Sequence, residues 1–143
     1  MSASFRNLIL ANHMLCKKRL MDGLSHYQLS SGQPKVLDYL SIYEPCSQKE
    51  LAENCYVEDA TLSFLLIGMK KNGLIEQTRN PNDRRSNLIF LTDEGRRVVE
   101  AMKRECEKVD QIVFSDFSEE EKNTFLSYME RMRTNIEKCS NEK

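Results

Sequence analysis

Apolar side chains recur along this chain with two different periods, and each period predicts a different kind of element. Between Ser4 and Leu24, the residues Phe5, Leu8, Ile9, Leu15, Cys16 and Leu20 return at helical spacing, interrupted by polar Asn12, and predict an amphipathic helix. Ser30 followed by Gln33 is a capping-box pair with Pro34 tolerated in the first turn. A second helix is therefore expected from Ser30, with Val36, Leu37 and Leu40 inward. Glu44-Pro45-Cys46 breaks it. Ser47 and Glu50 form a second capping box opening a short helix, Gln48 to Cys55, that turns Leu51 and Ala52 inward. After Tyr56-Val57-Glu58 another helix is expected from Asp59 to Asn72. Its Leu62, Leu65, Leu66 and Met69 fall at i, i+3, i+4 and i+7, and Gly73 is its stop.

The period then shortens. Leu74-Ile75-Glu76-Gln77-Thr78 and Leu88-Ile89-Phe90-Leu91 are strand-length runs on either side of the turn-forming cluster Asn80-Pro81-Asn82-Asp83. They predict a hairpin with Asp83-Arg84-Arg85 at its tip. Thr92 caps a long helix to Phe114, with Asp93 and Glu94 at the positive end of its dipole and Val98, Met102, Val109, Ile112 and Val113 as its stripe. Ser118 and Glu121 open a last helix in which Phe125, Met129, Met132, Ile136 and Cys139 step by four and three, a heptad-like seam that needs a partner. Two short helices joined by a tight turn and followed by a hairpin predict a mainly α fold with a small β-hairpin wing, a winged helix-turn-helix. The stripes of the first and last helices fall outside that compact unit. A homodimer covers them economically, and packing within one chain is the alternative.

At 143 residues, 40% hydrophobic and 30% charged, the chain has the length and make-up of one helix-rich domain. No apolar run reaches the length of a membrane span, and MSASFRNLILANH lacks a signal-peptide cleavage pattern, so no membrane and a cytoplasmic location are expected. The net charge of −1 conceals a division: nine Lys/Arg face five Asp/Glu between 68 and 104, and six face ten from 105 onward. A basic middle suits a module that meets a polyanion, and solvated helix faces produce the same count. The five cysteines (16, 46, 55, 106 and 139) have no CxxC or Cys/His spacing, and the only histidines are His13 and His26, so no metal site is expected. Without a glycine-rich phosphate loop, a nucleophile elbow or a clustered acid/base set, neither an enzyme nor a cofactor is expected.

LSSGQPKVLDYL, SQKELAENCYVEDATLSFLLIGMKKNGLIE and NDRRSNLIFLTDEGRR together resemble the MarR/SlyA family of bacterial winged-helix transcription regulators. The likeness covers residues 29–101, and helices at 4–27 and 105–139 stand where that family places its dimerisation elements. It implies a single MarR-like domain over 1–143 and a dimeric DNA-binding regulator, usually a repressor, on a pseudo-palindromic operator. A two-fold dimer must hold its recognition helices about 34 Å apart to enter successive major grooves. The resemblance also implies that Arg85 enters the minor groove, that Asp83 orients it and helps set the loop, and that Arg84 meets phosphate. A guanidinium suits the negative potential of a narrow minor groove, and an exposed salt-bridged hairpin is the alternative reading.

The recognition helix departs from the family pattern. Ser63-Phe64 stands where members commonly have Thr-Arg, and Gly68 where a base is frequent, which removes positive charge from the groove face. Gly68 also costs about 1 kcal/mol relative to Ala inside a helix. Thr61 and Ser63 have the chemistry to bond base edges or phosphates, and Phe64 and Ile67 to touch thymine methyls; all four have the chemistry to pack against protein. Lys70, Lys71, Arg79, Arg84 and Arg85 are the phosphate candidates, and Gln48, at a helix start, a backbone contact. The family often binds small aromatic or phenolic effectors between its dimerisation helices and winged domain. His13, Tyr39 and Tyr43 are the pocket candidates on position, and each fits an ordinary core or interface role as well. Cys16, beside Lys17, Lys18 and Arg19, is the redox candidate, without the aromatic flanks of the family's peroxide sensors. Two alternatives stay open: a protein-interaction module on the same fold, and a thiol redox-sensing regulator with atypical DNA readout.

Overall fold

Side-chain caps decide where this chain turns helical. In the computed structural model, which describes residues 3–141, Ser4 Oγ accepts the Asn7 N–H at 3.2 Å and opens α1 (Phe5–Gly23). After a 3₁₀ turn at Ser25–Tyr27 comes α2 (Gln33–Tyr43), two residues later than the Ser30 capping box predicts. The reason is local. Residues 30–33 close a tight turn, with the Gln33 N–H on the Ser30 carbonyl at 3.0 Å, so Gly32 becomes the N-cap and Pro34 sits in the first turn. Half of the box survives: Gln33 Oε1 still accepts the Ser30 N–H at 3.0 Å.

Cys46–Ser47 forms a short strand, β1, and Ser47 then caps α3 (Gln48–Asn54) by accepting the Glu50 N–H at 3.1 Å. The next helix is α4 (Asp59–Lys71), and Gly73 ends it at φ +74°, a left-handed position that favours glycine. Strands β2 (Ile75–Arg79) and β3 (Asn87–Leu91) form the expected hairpin, with Gln77 opposite Ile89. The sheet extends beyond the hairpin that the sequence predicts, to three antiparallel strands in the order β1-β3-β2, with Cys46 opposite Ile89. The fold is mainly helical with a small sheet, a winged helix-turn-helix.

Within residues up to Val109, one apolar core lies among α2, α3, α4, the sheet and the first turns of α5 (Asp93–Val113). Leu37, Leu40, Leu51, Leu62, Met69 and Met102 are fully buried there. Each such side chain removed from water contributes about 1.5–3 kcal/mol. Three polar contacts lock α5 onto this body. Thr92 Oγ1 donates to the Gly73 carbonyl at 2.6 Å and accepts the Gly95 N–H at 3.0 Å, closing the end of α4 and the start of α5 with one hydroxyl. Arg96 grips both carboxylate oxygens of Glu44 at 2.6 and 3.0 Å. At Gly95 a Cβ would run into the Leu74 carbonyl, so only glycine permits this approach.

The chain divides into two compact units between Val109 and Asp110. The second contains α6 (Glu119–Asn141), opened by a complete capping box: the Glu121 N–H bonds Ser118 Oγ at 3.0 Å and the Ser118 N–H bonds Glu121 Oε1 at 2.9 Å. The Ser118 N–H, and then its hydroxyl, hold the Glu121 carboxyl below its ordinary range. Phe114, Phe117 and Phe125 meet edge to face at 5.3–6.0 Å between ring centres. Among the described residues no helix is long and apolar enough to cross a membrane.

Candidate nucleic-acid interface

Four apolar side chains fix how α4 lies. Leu62, Leu65, Leu66 and Met69 are buried, which leaves Thr61, Ser63, Phe64 and Ile67 on the outer face and Lys70 and Lys71 exposed in the last turn. Gln48, the first residue of α3, reaches across so that its Nε2 donates to Ser63 Oγ at 2.7 Å. Two residues singled out separately in the sequence thus form one polar bridge between the helices.

A residue that the sequence suggested only as a cap partner holds α4 from behind. Gln33 is buried, and its Nε2 donates to the Leu65 carbonyl at 3.3 Å while its Oε1 takes the Ser30 N–H. Both ends of the amide are satisfied, as a buried polar group requires. A Cβ at position 68 would stand 3.1 Å from Gln33 Nε2. Gly68 is therefore turned partly inward and leaves room for this amide. Reading it only as a base missing from the groove face overlooks that contact.

The wing tip is a loop whose backbone is tied down by its own polar groups. Asn80 Oδ1 accepts the Asn82 N–H at 3.0 Å, Asn80 Nδ2 donates to Ser86 Oγ at 3.1 Å, and the Asn80 N–H meets the Ser86 carbonyl at 3.1 Å. Asp83 Oδ1 accepts the backbone N–H of Arg85 at 2.9 Å. Asp83 thus helps set the loop, as expected, and does so through the Arg85 backbone, without an ion pair to the Arg85 guanidinium.

The basic middle now sorts into two groups. Arg96, Arg97 and Lys103 on α5 are paired with Glu44, Glu94 and Glu100. Lys70, Lys71, Arg79, Arg84 and Arg85 are exposed, and among the described residues none of them joins an ion pair. The salt-bridged hairpin is thus not what the structure shows. Within this basic stretch the unpaired cations lie on the end of α4 and the wing, with Arg104 on α5 as the one exposed and unpaired exception.

Of the effector candidates, Tyr39 and Tyr43 come together, with ring centres 4.6 Å apart on α2. The Tyr39 hydroxyl donates to Glu50 Oε2 at 3.1 Å and links α2 to α3. Partial burial, and then the Glu50 carboxylate, push its pKa up to about 12. His13 stands on the exposed surface of α1. An open groove lined by Gln48, Lys49, Glu53, Val57, Glu58 and Asp59 follows α3 and the start of α4, and none of the three candidates lines it. Cys16 is half-buried on α1, and its neighbour Lys18 is paired with Asp22 at 2.9 Å. Cys46 is fully buried with its thiol on the Tyr43 carbonyl at 3.2 Å, and burial pushes its pKa up to about 12. Burial raises the Cys55 thiol as well. Such thiols are poor nucleophiles.

Comparison with known proteins places this geometry. The MarR family model matches residues 29–86. The chain is 30% identical over 118 residues to YwoH of Bacillus subtilis, an uncharacterised HTH-type transcriptional regulator, covering 82% of this chain and 85% of that one. It is 29% identical over 108 residues to the B. subtilis regulator YdgJ, also uncharacterised, covering 76% of this chain and just under two thirds, 66%, of that one. Its fold is similar to that of S. aureus MepR in a DNA complex, with a TM-score of 0.86, 23% identity, and coverage of 94% of this chain and 99% of that one.

Proposed function

The chain belongs to the MarR family of HTH-type transcriptional regulators, and on that premise we propose that it is a DNA-binding homodimer that represses transcription from a pseudo-palindromic operator. The observation that carries this reading is the group of five exposed, unpaired cations between Lys70 and Arg85, against α5, where Arg96, Arg97 and Lys103 are paired and Arg104 alone of that basic stretch is not. Phosphate contacts by such cations supply most of the salt-dependent affinity of a DNA-binding protein. In this reading α4 lies in the major groove, the Arg85 side chain enters the minor groove, and Arg84, Arg79, Lys70 and Lys71 meet phosphates. Gln48, held to Ser63, stands at the edge of the α4 face. Residues 29–101 bind DNA and the helices at 4–27 and 105–139 dimerise. Exposed Phe5, Leu8 and Leu15 on α1, and exposed Phe125, Met129 and Ile136 on α6, support that assignment. The protein works in the cytoplasm, where its DNA is.

Fluorescence anisotropy on the duplex upstream of its own gene and on a scrambled duplex, each over a salt series, tests this reading. Tighter binding to the upstream duplex is expected, and absence of binding to either at low salt would sink the proposal. Sedimentation tests the dimer. We further propose that a small aromatic or phenolic effector lowers operator affinity by stacking on the Tyr39–Tyr43 pair, with His13 in the same pocket in the dimer. The Tyr39 hydroxyl is committed to Glu50, so its ring face is what such a ligand meets. Phenolic carboxylates should weaken binding by the parent protein and leave Tyr43→Ala unaffected. Equal weakening of both would remove the pair from the effector site.

A further inference from the structure

Between its acidic start and its basic end, α4 presents a face without charge. Residues 60–69 read ATLSFLLIGM and contain no Asp, Glu, Lys, Arg, Asn or Gln. Phe64 and Ile67 stand three residues apart on the outer face, 76% and 69% exposed. They form one apolar ridge on a helix that ends in unpaired Lys70 and Lys71. An occupant that suits this helix is anionic at its rim and apolar at its centre. The major groove of DNA has that character, with phosphates along its edges and the C5-methyl of thymine on its floor.

Resting on the regulator reading above, we infer that Phe64 and Ile67 read thymine C5-methyl groups, so that each half-site carries A·T pairs opposite this ridge. Other direct readout is missing from the centre of the helix. Guanine is read by a bidentate Arg or Lys and adenine by Asn or Gln, and residues 60–69 contain none of these. The neighbouring amide, Gln48, has its Nε2 on Ser63 Oγ at 2.7 Å. That bond occupies the hydroxyl oxygen as acceptor and leaves the Ser63 O–H to donate to an acceptor beside the methyl, such as thymine O4.

The test enriches a random-sequence duplex pool on the full-length protein and resynthesises the recovered duplex with deoxyuridine at the half-site thymines. That change removes the C5-methyl and leaves the pairing intact. Binding by the parent protein should weaken about four-fold for each contacted methyl, the ratio that follows from the free energy of burying one carbon. The salt dependence should not change, because a methyl contact releases no counterion. The Phe64→Ala/Ile67→Ala double variant should bind both duplexes equally; both side chains are exposed, so folding does not depend on them. Enriched half-sites without thymine, or equal binding of both duplexes by the parent protein, overturn the inference and leave the regulator reading standing. A surface kept for a protein partner gives that second result. A pool that does not enrich, with no salt-sensitive binding, overturns both.

Discussion

At the β2–β3 tip the backbone is tied down and the charged side chains are free, whereas the outer face of α4 has an ordinary helical backbone and no charge along its centre. The two regions belong to one candidate surface and are built for different tasks. The tip offers Arg84 and Arg85 from a loop already closed by Asn80, Asp83 and Ser86, so ordering it on binding costs little. The helix offers shape and apolar contact, which distinguish one base edge from another and add nothing to long-range attraction. The difference teaches that, in the proposed complex, the wing contributes charge-driven affinity and the centre of α4 contributes sequence readout, so the two can be removed separately.

The most severe way to break the comparison is Arg84→Ala/Arg85→Ala. Operator affinity should fall about a hundred-fold, and the slope of log K against log salt should drop by up to about two, as expected for two lost cationic contacts. An unchanged slope would place the phosphate contacts elsewhere. Next in size is Gln33→Ala, which strips a buried amide from behind α4 and orphans the Ser30 N–H. Unfolding free energy should fall by about 1–3 kcal/mol, with a urea midpoint to match, and no loss would mean that water replaces the amide. The loop contact is smaller. Asp83→Asn keeps an oxygen for the Arg85 N–H and Asp83→Ala does not, so the alanine variant should bind DNA about five-fold more weakly than the asparagine variant, the ratio for one net hydrogen bond.

Smaller still is a reversal of sign at position 68. Gly68→Ala gains helix propensity of up to about 1 kcal/mol and meets Gln33 Nε2, so it should be neutral or destabilising in the parent and stabilising in Gln33→Ala. Thermal melts of the four proteins decide it, and the same sign in both backgrounds would remove Gln33 as the reason for the glycine. The least effect concerns the contact of α2 with α3. Cys46 and Tyr39 hold their protons to about 12 when folded, against ordinary values of 9.0 and 10.0. Their stabilisation is complete below the lower of these and is lost as pH rises through the folded values. Urea midpoints should fall above pH 9.0, and because Cys55 is raised from 9.0 as well, it takes the Cys46→Ala/Cys55→Ala double variant to delay the onset toward 10.0, where Tyr39 begins.

What the sequence revealed of this fold follows how local each signal is. Ser47, Thr92 and Ser118 were legible because a cap bonds within three residues of itself, and all three do so here. Ser30 carried the same signature, and Gly32 and Pro34 moved the helix start past it. Strand β1 was missed because two residues show no alternation, and its existence depends on β3, some forty residues away. Within the candidate site, the exposure of Phe64 and Ile67 followed from the stripe they lie opposite. The Gln48–Ser63 bridge, the Arg96–Glu44 grip and the Gln33 anchor join residues 15, 52 and 32 positions apart, distances at which no spacing rule applies. The Asp83–Arg85 pair was legible as residues that set the loop, but Asp-x-Arg permits both a side-chain and a backbone partner, and the choice of the backbone was not legible.

The Thr92 hydroxyl has a mechanical consequence. It donates to the carbonyl of Gly73 and accepts from the amide of Gly95, while its own amide is bonded to the Leu74 carbonyl at 3.0 Å. One side chain thus acts as a rivet through the turn after α4, the root of the wing and the head of α5. A torque applied along α5 within this unit reaches the tail of α4 with little slack, because no flexible linker intervenes to absorb it. A signal that turns the helix by a few degrees would therefore re-aim the apolar ridge and the cationic tip together, as the jaws of one tool.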